Sequence, residues 1–441
     1  MVCWRMYSMV NGIDTYKDSG VEWIGKIPQN WKLVKTGRIF RNIKEIVKKK
    51  SATTERLALT LNGVIKRNKD DAEGLQPEQF DSYQYLRKNQ LVFKLIDLEN
   101  VNTSRVGLCP FDEGMVSPAY IVLQNNSSDN RYYHYYFLSL WHNEIFNHLG
   151  GDGVRSALNS KDLLNIPTFD LPTEKQQAIA DYLDKKCGKI DKVVETEKAV
   201  IEKLKEYKQS IITEAVTKGL DKSVPLKDSG IEWIGKIPAH WEVKRTKFAA
   251  DSFDKGNGIT KEDVLSDGDI QCIRYGEIYS KYDKQCSETV SATNVNMIDS
   301  PKYISKGDIL FAGTGELIEE IGKNIVYTGN DPCLAGGDII ILKHKQNHIF
   351  LNYVLNSHYA QSQKSYGKVK LKVVHISASA IGNVRIALPP LEEQQQIANY
   401  LDKKCSEIDQ AITHKEQVIE KFTEYKKSLI YECVTGKKEV A

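Results

Sequence analysis

At 441 residues, 41% of them apolar and 27% charged, the chain is too long for one ordinary domain and suits two folded, soluble domains with connecting structure. Its 61 basic residues against 58 acidic leave a net charge of +3, which does not announce a nucleic-acid binder but leaves room for local basic patches. The eight cysteines form no CxxC pair and no Cys/His cluster at zinc spacing, and no stretch reaches the roughly 18 to 20 apolar residues that span a bilayer, which points to free thiols in a reducing cytoplasm and to no membrane or bound metal.

Taken in chain order, the opening MVCWRMYSMVNGIDTYKD lacks the sustained apolar core of a signal peptide. Residues 17–31, KDSGVEWIGKIPQNW, combine an Asp-Ser-Gly turn, a helix-blocking Pro28 and tryptophans as apolar anchors, a pattern of packing that closes a domain around Trp23, with direct DNA contact as the alternative. Lys48-Lys49-Lys50 reads as solvated surface, with contact to a phosphate backbone as the alternative. LVFKLI (91–96) and AYIVLQ (119–124) read as strands, and the aromatic-rich 131–146 as a helix. Residues 173–218 predict a long helix. Leu183, Ile190, Leu204 and Ile211 hold one heptad position, Cys187, Val194, Ile201 and Ala215 another, and Glu197 and Lys208 interrupt the two series.

The second half restarts at 227–241 with KDSGIEWIGKIPAHW, identical to the first motif at twelve of fifteen positions and built around Trp233. Strands are expected at 269–275, 308–312 and 338–343, and a helix at 348–363. A second long helix over 391–436 repeats the seam with Leu401, Ile408, Phe422 and Leu429 beside Cys405, Ile412, Ile419 and Cys433, with Lys415 and Lys426 in the gaps. IADYLDKKC (179–187) returns as IANYLDKKC (397–405), and EYKQS as EYKKS, both at an offset of 218. Pro172 and Pro390 sit at the helix starts, Gly219 and Gly436 at their ends.

The chain is therefore a tandem duplication with constant ends and divergent middles. The expected fold is α+β: globular domains over 1–170 and 221–388, helices over 171–220 and 389–441, and a pseudo-two-fold repeat. A helix of about 45 residues runs on the order of 68 Å and must bury its stripe. Its own copy, paired antiparallel, is the nearest partner and would make a rod with a globular domain at each end. A coiled coil between two chains, or with helices of another protein, satisfies the same pattern.

Catalytic signals are absent. GTGELIEEIGKN (313–324) fails the phosphate-loop spacing, Leu388-Pro389-Pro390-Leu391 lacks the flanking residues of an adenine methyltransferase motif, and the Glu-x-Lys pairs at 206–208 and 424–426 lie on the long helices.

KDSGxEWIGxIPxxW opening each half, and LPTEKQQAIADYLDKK and LPPLEEQQQIANYLDKK opening the helices, resemble the specificity subunit of type I restriction–modification systems, as do KGDILFAGTGE (306–316) and SRVGLCPFDEGMVSPAYIVL (104–123). The resemblance covers essentially the whole chain. The sequence departs from the family at Glu174-Lys175-Gln176, where the second helix has Glu392-Glu393-Gln394. The resemblance implies two target recognition domains, each reading one half of a split double-stranded DNA site. It also implies helices that set the spacing and dock two modification subunits around Tyr182, Leu183, Tyr400 and Leu401. The chain itself would bind no cofactor; S-adenosylmethionine, ATP and Mg would belong to the modification and restriction subunits.

Candidate DNA contacts are Arg155 in the glycine-rich GGDGVRSAL, the lysines Lys368, Lys370 and Lys372 in the matching region, and Thr314 and Lys323, whose role could equally be structural. Two other classes stay open: an enzyme in its own right, which would bind S-adenosylmethionine or nick DNA with metal, and a coiled-coil scaffold without DNA affinity.

Overall fold

The computed structural model describes residues 16–70, 79–96, 98, 105–127, 129–149, 157–369 and 373–440. They form two compact units: Met1–Glu197 with Gln417–Ala441, and Lys198–Glu416. The helices Thr173–Lys218 and Leu391–Val434 are continuous, and each contributes one part to either unit. A globular segment is therefore completed by parts of both helices.

In the first unit, Tyr16–Asp18 pairs antiparallel with Lys26–Pro28, and Leu33–Lys35 with Pro167–Phe169. An antiparallel sheet follows in the order 41–43, 121–124, 91–93, 106–108. The helix Arg131–His142 packs on the strand Val106–Leu108. Its aromatic face (Tyr132, Tyr136, Phe137) is buried with Trp31, Phe93 and Phe169 and with Leu183, Cys187, Leu429 and Cys433 of the long helices. The heptad positions thus serve as globular core as well as helix seam.

The second unit repeats this frame: 226–228 with 236–238, and 242–245 with 385–388. Its middle differs. A five-stranded sheet runs 250–255, 339–344, 309–312, 324–327, 285–286, and a four-stranded one 291–293, 270–273, 333–335, 303–304.

Within each unit the helix segments run antiparallel, and the charged interruptions of the heptads explain the register. Lys426 Nζ lies 2.6 Å from Asp191 in the first unit, and Lys208 Nζ lies 2.5 Å from Asp409 in the second. The two ion pairs correspond at the same sequence offset that relates the helices. Tyr135 donates to Asp184 at 2.7 Å and Tyr353 to Asp402 at 2.9 Å, a second pair of equivalent bonds. The lysines that spoil the apolar stripe are the residues that bind across it.

Both long helices end on the repeated motif. Gly436 (φ +73°) and Gly219 (φ +70°) take the left-handed conformation that terminates a helix without a side-chain clash. A Cβ on Gly436 would stand 2.7 Å from Pro28 and 3.0 Å from Trp31, and one on Gly219 would stand 3.1 Å from Trp241. The anchors are therefore Trp31 and Trp241, which are buried, whereas Trp23 and Trp233 are only half-buried. Asp18 and Asp228 accept from the N–H of Gly20 and Gly230, forming the turn that aims the motif at the helix end.

Two helices expected as single stretches are each broken. The first stops at Asn143, where Glu144 adopts φ +59°, before Ile145–Leu149 resumes. The second divides at Ser357, whose extended backbone lets its hydroxyl cap Ala360 and start His358–Ser365.

Candidate nucleic-acid interface

In the first unit the divergent segment carries a hairpin, Leu57–Thr60 with Gly63–Lys66. Alternation sends Leu57, Leu59 and Val64 into a small core with Leu86, Val92 and Val122. The residues flanking the hairpin, Arg56 and Arg67, line a cleft of about 460 Å³ with Asn62, Tyr83, Lys94 and Tyr120. The Arg56 guanidinium lies 5.3 Å over the Phe80 ring and donates to Asn68 O at 3.2 Å. Gln84 Nε2 donates to Ser117 O and Tyr120 O, at 3.0 and 2.7 Å, and so fixes the loop that presents Tyr120. Burial raises the Tyr120 phenol above its ordinary range, Tyr83 adds to this, and Arg56 and Arg67 oppose it. Forked cations, an amide and phenol hydroxyls meeting in one concavity are the groups that read base edges.

The second unit presents a different surface. Thr314 Oγ1 lies 3.0 Å from His375 Nδ1, where two short strands pair. Lys323 Nζ donates to Tyr282 O at 3.1 Å and, more weakly, to Tyr279 O. Lys368 Nζ donates to His375 O at 2.6 Å. The loop containing Thr314 and Lys323 is held from behind by Gln361, which donates to Ile321 O, and by buried Lys364, which donates to Gly322 O at 2.7 Å. Burial pushes the Lys364 amine down to about 7. Thr314, Lys323 and Lys368 thus lie around one loop with polar atoms bonded to their own chain. Arg155, Lys370 and Lys372 lie outside the described residues.

Sequence reasoning passed over Arg56, Arg67 and Lys94. A signal was available for the first two: Asn62-Gly63 between alternating runs marks a hairpin, and both arginines flank it. Lys94, Tyr83 and Tyr120 reach the cleft through non-local strand pairing, which no local pattern encodes.

On the helices, Leu183 and Leu401 are fully buried in their units, while the neighbouring Tyr182 and Tyr400 reach the surface. Lys186 Nζ lies 5.7 Å from the Tyr182 ring centre. Lys404, its counterpart on the second helix, bonds Glu407, which raises its pKa, with smaller contributions from Tyr400 and Tyr207. Tyr207 and its counterpart Tyr425 are both exposed. Tyrosine and lysine thus recur side by side on the helix in both copies.

Among the described residues no group of three or more His, Cys, Asp or Glu side chains could hold a metal ion, and no helix is long and apolar enough to cross a membrane. The described cysteines are buried free thiols, and burial pushes those of Cys187, Cys272 and Cys286 up to about 11, away from nucleophilic use.

Residues 238–421 match the family described as type I restriction modification DNA specificity domain. The type I restriction enzyme MjaVIII specificity subunit of Methanocaldococcus jannaschii is 25% identical over 434 residues, covering 93% of this chain and 94% of the relative. The StySPI specificity subunit of Salmonella potsdam is 24% identical over 304 residues, covering 66% of this chain and 59% of its own. Among solved structures, a chain from work on complex assembly and conformational transition of the type I R-M system aligns with a TM-score of 0.68 at 15% identity, covering 93% of this chain and 99% of that one, a likeness of fold. Residues 238–421 thus match a type I restriction modification DNA specificity domain, and over nearly its whole length the chain, with its duplicated frame and divergent middles, is similar to a type I restriction enzyme specificity subunit.

Proposed function

We propose that each unit reads one half of a split double-stranded DNA site, and that the chain performs no chemistry of its own. The observation that carries this reading is the contrast between frame and middle. Helix ends, register pairs and tryptophan anchors recur in both units, while the surfaces between them differ in chemistry. A frame kept twice suits one kind of partner bound twice, and middles that diverge suit two different base sequences. In the first unit the reading groups are Arg56, Arg67 and Lys94 with Tyr83 and Tyr120. In the second they lie around Thr314 and Lys368, with Lys323 bracing the loop and Lys370 and Lys372 continuing the segment; Arg155 is the further contact nominated in the first.

Two modification subunits dock on the repeated helix faces, with half-buried Tyr182 and exposed Tyr400 as contacts and Leu183 and Leu401 supporting them from beneath. Those subunits carry adenine methylation with S-adenosylmethionine. Restriction subunits, using ATP and Mg, join through the same cytoplasmic complex.

Co-expression with a modification subunit and mapping of methylated adenines in the host DNA tests the reading. One split motif is expected, and exchanging residues 32–166 for those of a relative should alter one half of it only. Unmodified DNA despite a stable assembly would overturn it in favour of a scaffold, and methylation by the chain alone would make it an enzyme.

A further inference from the structure

The segment from Lys32 to Lys50 carries eight basic residues against Glu45 alone, a local net charge of +7 in a chain whose total is +3. They recur at every third position from Lys32 to Lys44 and then as Lys48–Lys50, and all eight side chains are exposed. The one carboxylate does not offset them. Glu45 is held by Arg87 at 2.6 and 3.0 Å, and Arg87 also binds Glu113 at 2.9 Å.

The fold holds this charge on a rigid edge. Thr36 is fully buried and its hydroxyl donates to Ile166 O at 2.8 Å, while Phe40 and Val47 point into the core. Between this edge and the short helix Ser160–Asn165 lies an open groove of about 760 Å³. Its cationic lining is Lys32, Lys35, Arg38 and Lys161, and no carboxylate lines it. Asp162, on the same short helix, turns its carboxylate to the N–H of Asn159.

The fold itself does not require this charge. In the second unit the matching stretch, 242–260, balances four basic residues against three acidic ones, and Lys244 pairs with Glu242 at 2.7 Å. Phe248, 70% exposed, takes the place that Arg38 holds in the first unit. One frame tolerates a near-neutral edge and the other carries a net charge of +7 along the same stretch, a self-repulsion that a polyanion lying against it would relieve. Three lysines and one arginine without an aromatic platform are phosphate ligands rather than base readers.

We propose that this groove of the first unit grips the phosphate backbone of duplex DNA beside the half-site which that unit reads, independently of base sequence. The inference rests on the DNA-recognition reading above and adds the place and the asymmetry of the backbone contact.

The test uses the full chain assembled with its modification subunits. The variant K32Q/K35Q/R38Q/K161Q and the counterpart K244Q/R245Q/K247Q are titrated against a duplex carrying the wild-type methylation motif and a scrambled duplex, over a range of salt. In the first variant, affinity for both duplexes should fall by the same factor. The slope of log affinity against log salt should become shallower by about 0.9 for each phosphate no longer neutralised. The counterpart variant should change the slope less. K32Q alone, at one exposed side chain, should remove about one phosphate's share of that slope and serves if the fourfold variant fails to fold. An unchanged slope and affinity would overturn the proposal. So would a weakening confined to the motif duplex, which means base reading, or a correctly folded variant that no longer assembles, which means the face binds protein. A wild-type complex with no preference between duplexes would sink the recognition reading itself, a distinguishable failure.

Discussion

The two units differ most tellingly where they are built alike, at the first turn of each long helix. In the second unit Glu393 accepts from Trp241 Nε1 at 2.9 Å and lies 2.7 Å from His240 Nε2. In the first unit the equivalent residue is Lys175, which donates instead to Val440 O at 2.6 Å, and Asn30 stands in place of His240. An acid and a base occupy one frame position because their neighbours differ: His240 in one unit, where the other has Asn30 and the Val440 carbonyl. The departure from the family pattern at Lys175 is thus a compensated substitution. A frame of this kind conserves its geometry and lets each partner set the charge.

The largest expected effect breaks the frame at its anchors. Trp241→Ala removes a fully buried indole and the donor to Glu393, whereas Trp31→Ala removes one that is 6% exposed and packs edge-on to Phe169. Each should cost its unit about 3–5 kcal/mol, with the larger effect at Trp241. Because two units need not unfold together, hydrogen exchange resolved by unit is the right measurement. Equal loss of protection in both units on either substitution would contradict the division.

Next come the helix ends. Gly436→Ala and Gly219→Ala each force a side chain into left-handed backbone, costing roughly 1–2 kcal/mol. The closer contact with Pro28 makes Gly436 the costlier of the two. Thermal unfolding of the paired variants should rank them so, and a reversed rank would mean that the proline side yields more easily than the indole.

These ends were legible in the sequence because Gly219 and Gly436 follow long apolar periodicities, and the motif that meets them is repeated nearly unchanged. The interruptions Lys208 and Lys426 were visible too, but their meaning needed the partner segment, since Asp409 and Asp191 lie on the other long helix, far away in sequence. The strands at 91–93, 309–312 and 339–344 followed from β-branched runs. The helix breaks at Asn143 and Ser357 did not, because each turns on one polar side chain or backbone angle rather than on periodicity. The basic edge was not legible either, because a period of three running across a strand, a one-turn helix and a second strand matches no single element.

A further difference separates the units by pH. Lys364 is 2% exposed, whereas the equivalent position in the first unit holds buried Phe146. With the Lys364 amine held at about 7 against an ordinary 10.5, the unfolded chain binds more protons between those values, so the second unit gains stability as pH rises from about 7 to 10.5. Below about 7 both states are protonated, and the penalty is complete and constant. Lys364→Met should flatten that rise in the second unit and leave the first unchanged. Persistence of the same slope in the variant would assign it to another group.

The smallest effect concerns register. Burial lowers the Lys208 amine, but its bond to Asp409 and the surrounding carboxylates outweigh this and leave it raised. Lys284 stands 3.7 Å from the same carboxylate. Lys208 and Lys426 are only partly exposed, yet their partners reach solvent, so each pair should contribute no more than about 1 kcal/mol in a double-mutant cycle. What the pairs supply is discrimination between registers, because a slipped helix would set a lysine against the apolar seam. Lys208→Asp, which sets one carboxylate against another, should therefore cost more than Lys208→Leu, which completes the heptad. The double swap Lys208→Asp with Asp409→Lys should restore protection over 198–218. If the swap fails to restore it while Lys208→Leu is harmless, the seam alone sets the register, and the ion pairs only fill the positions it leaves.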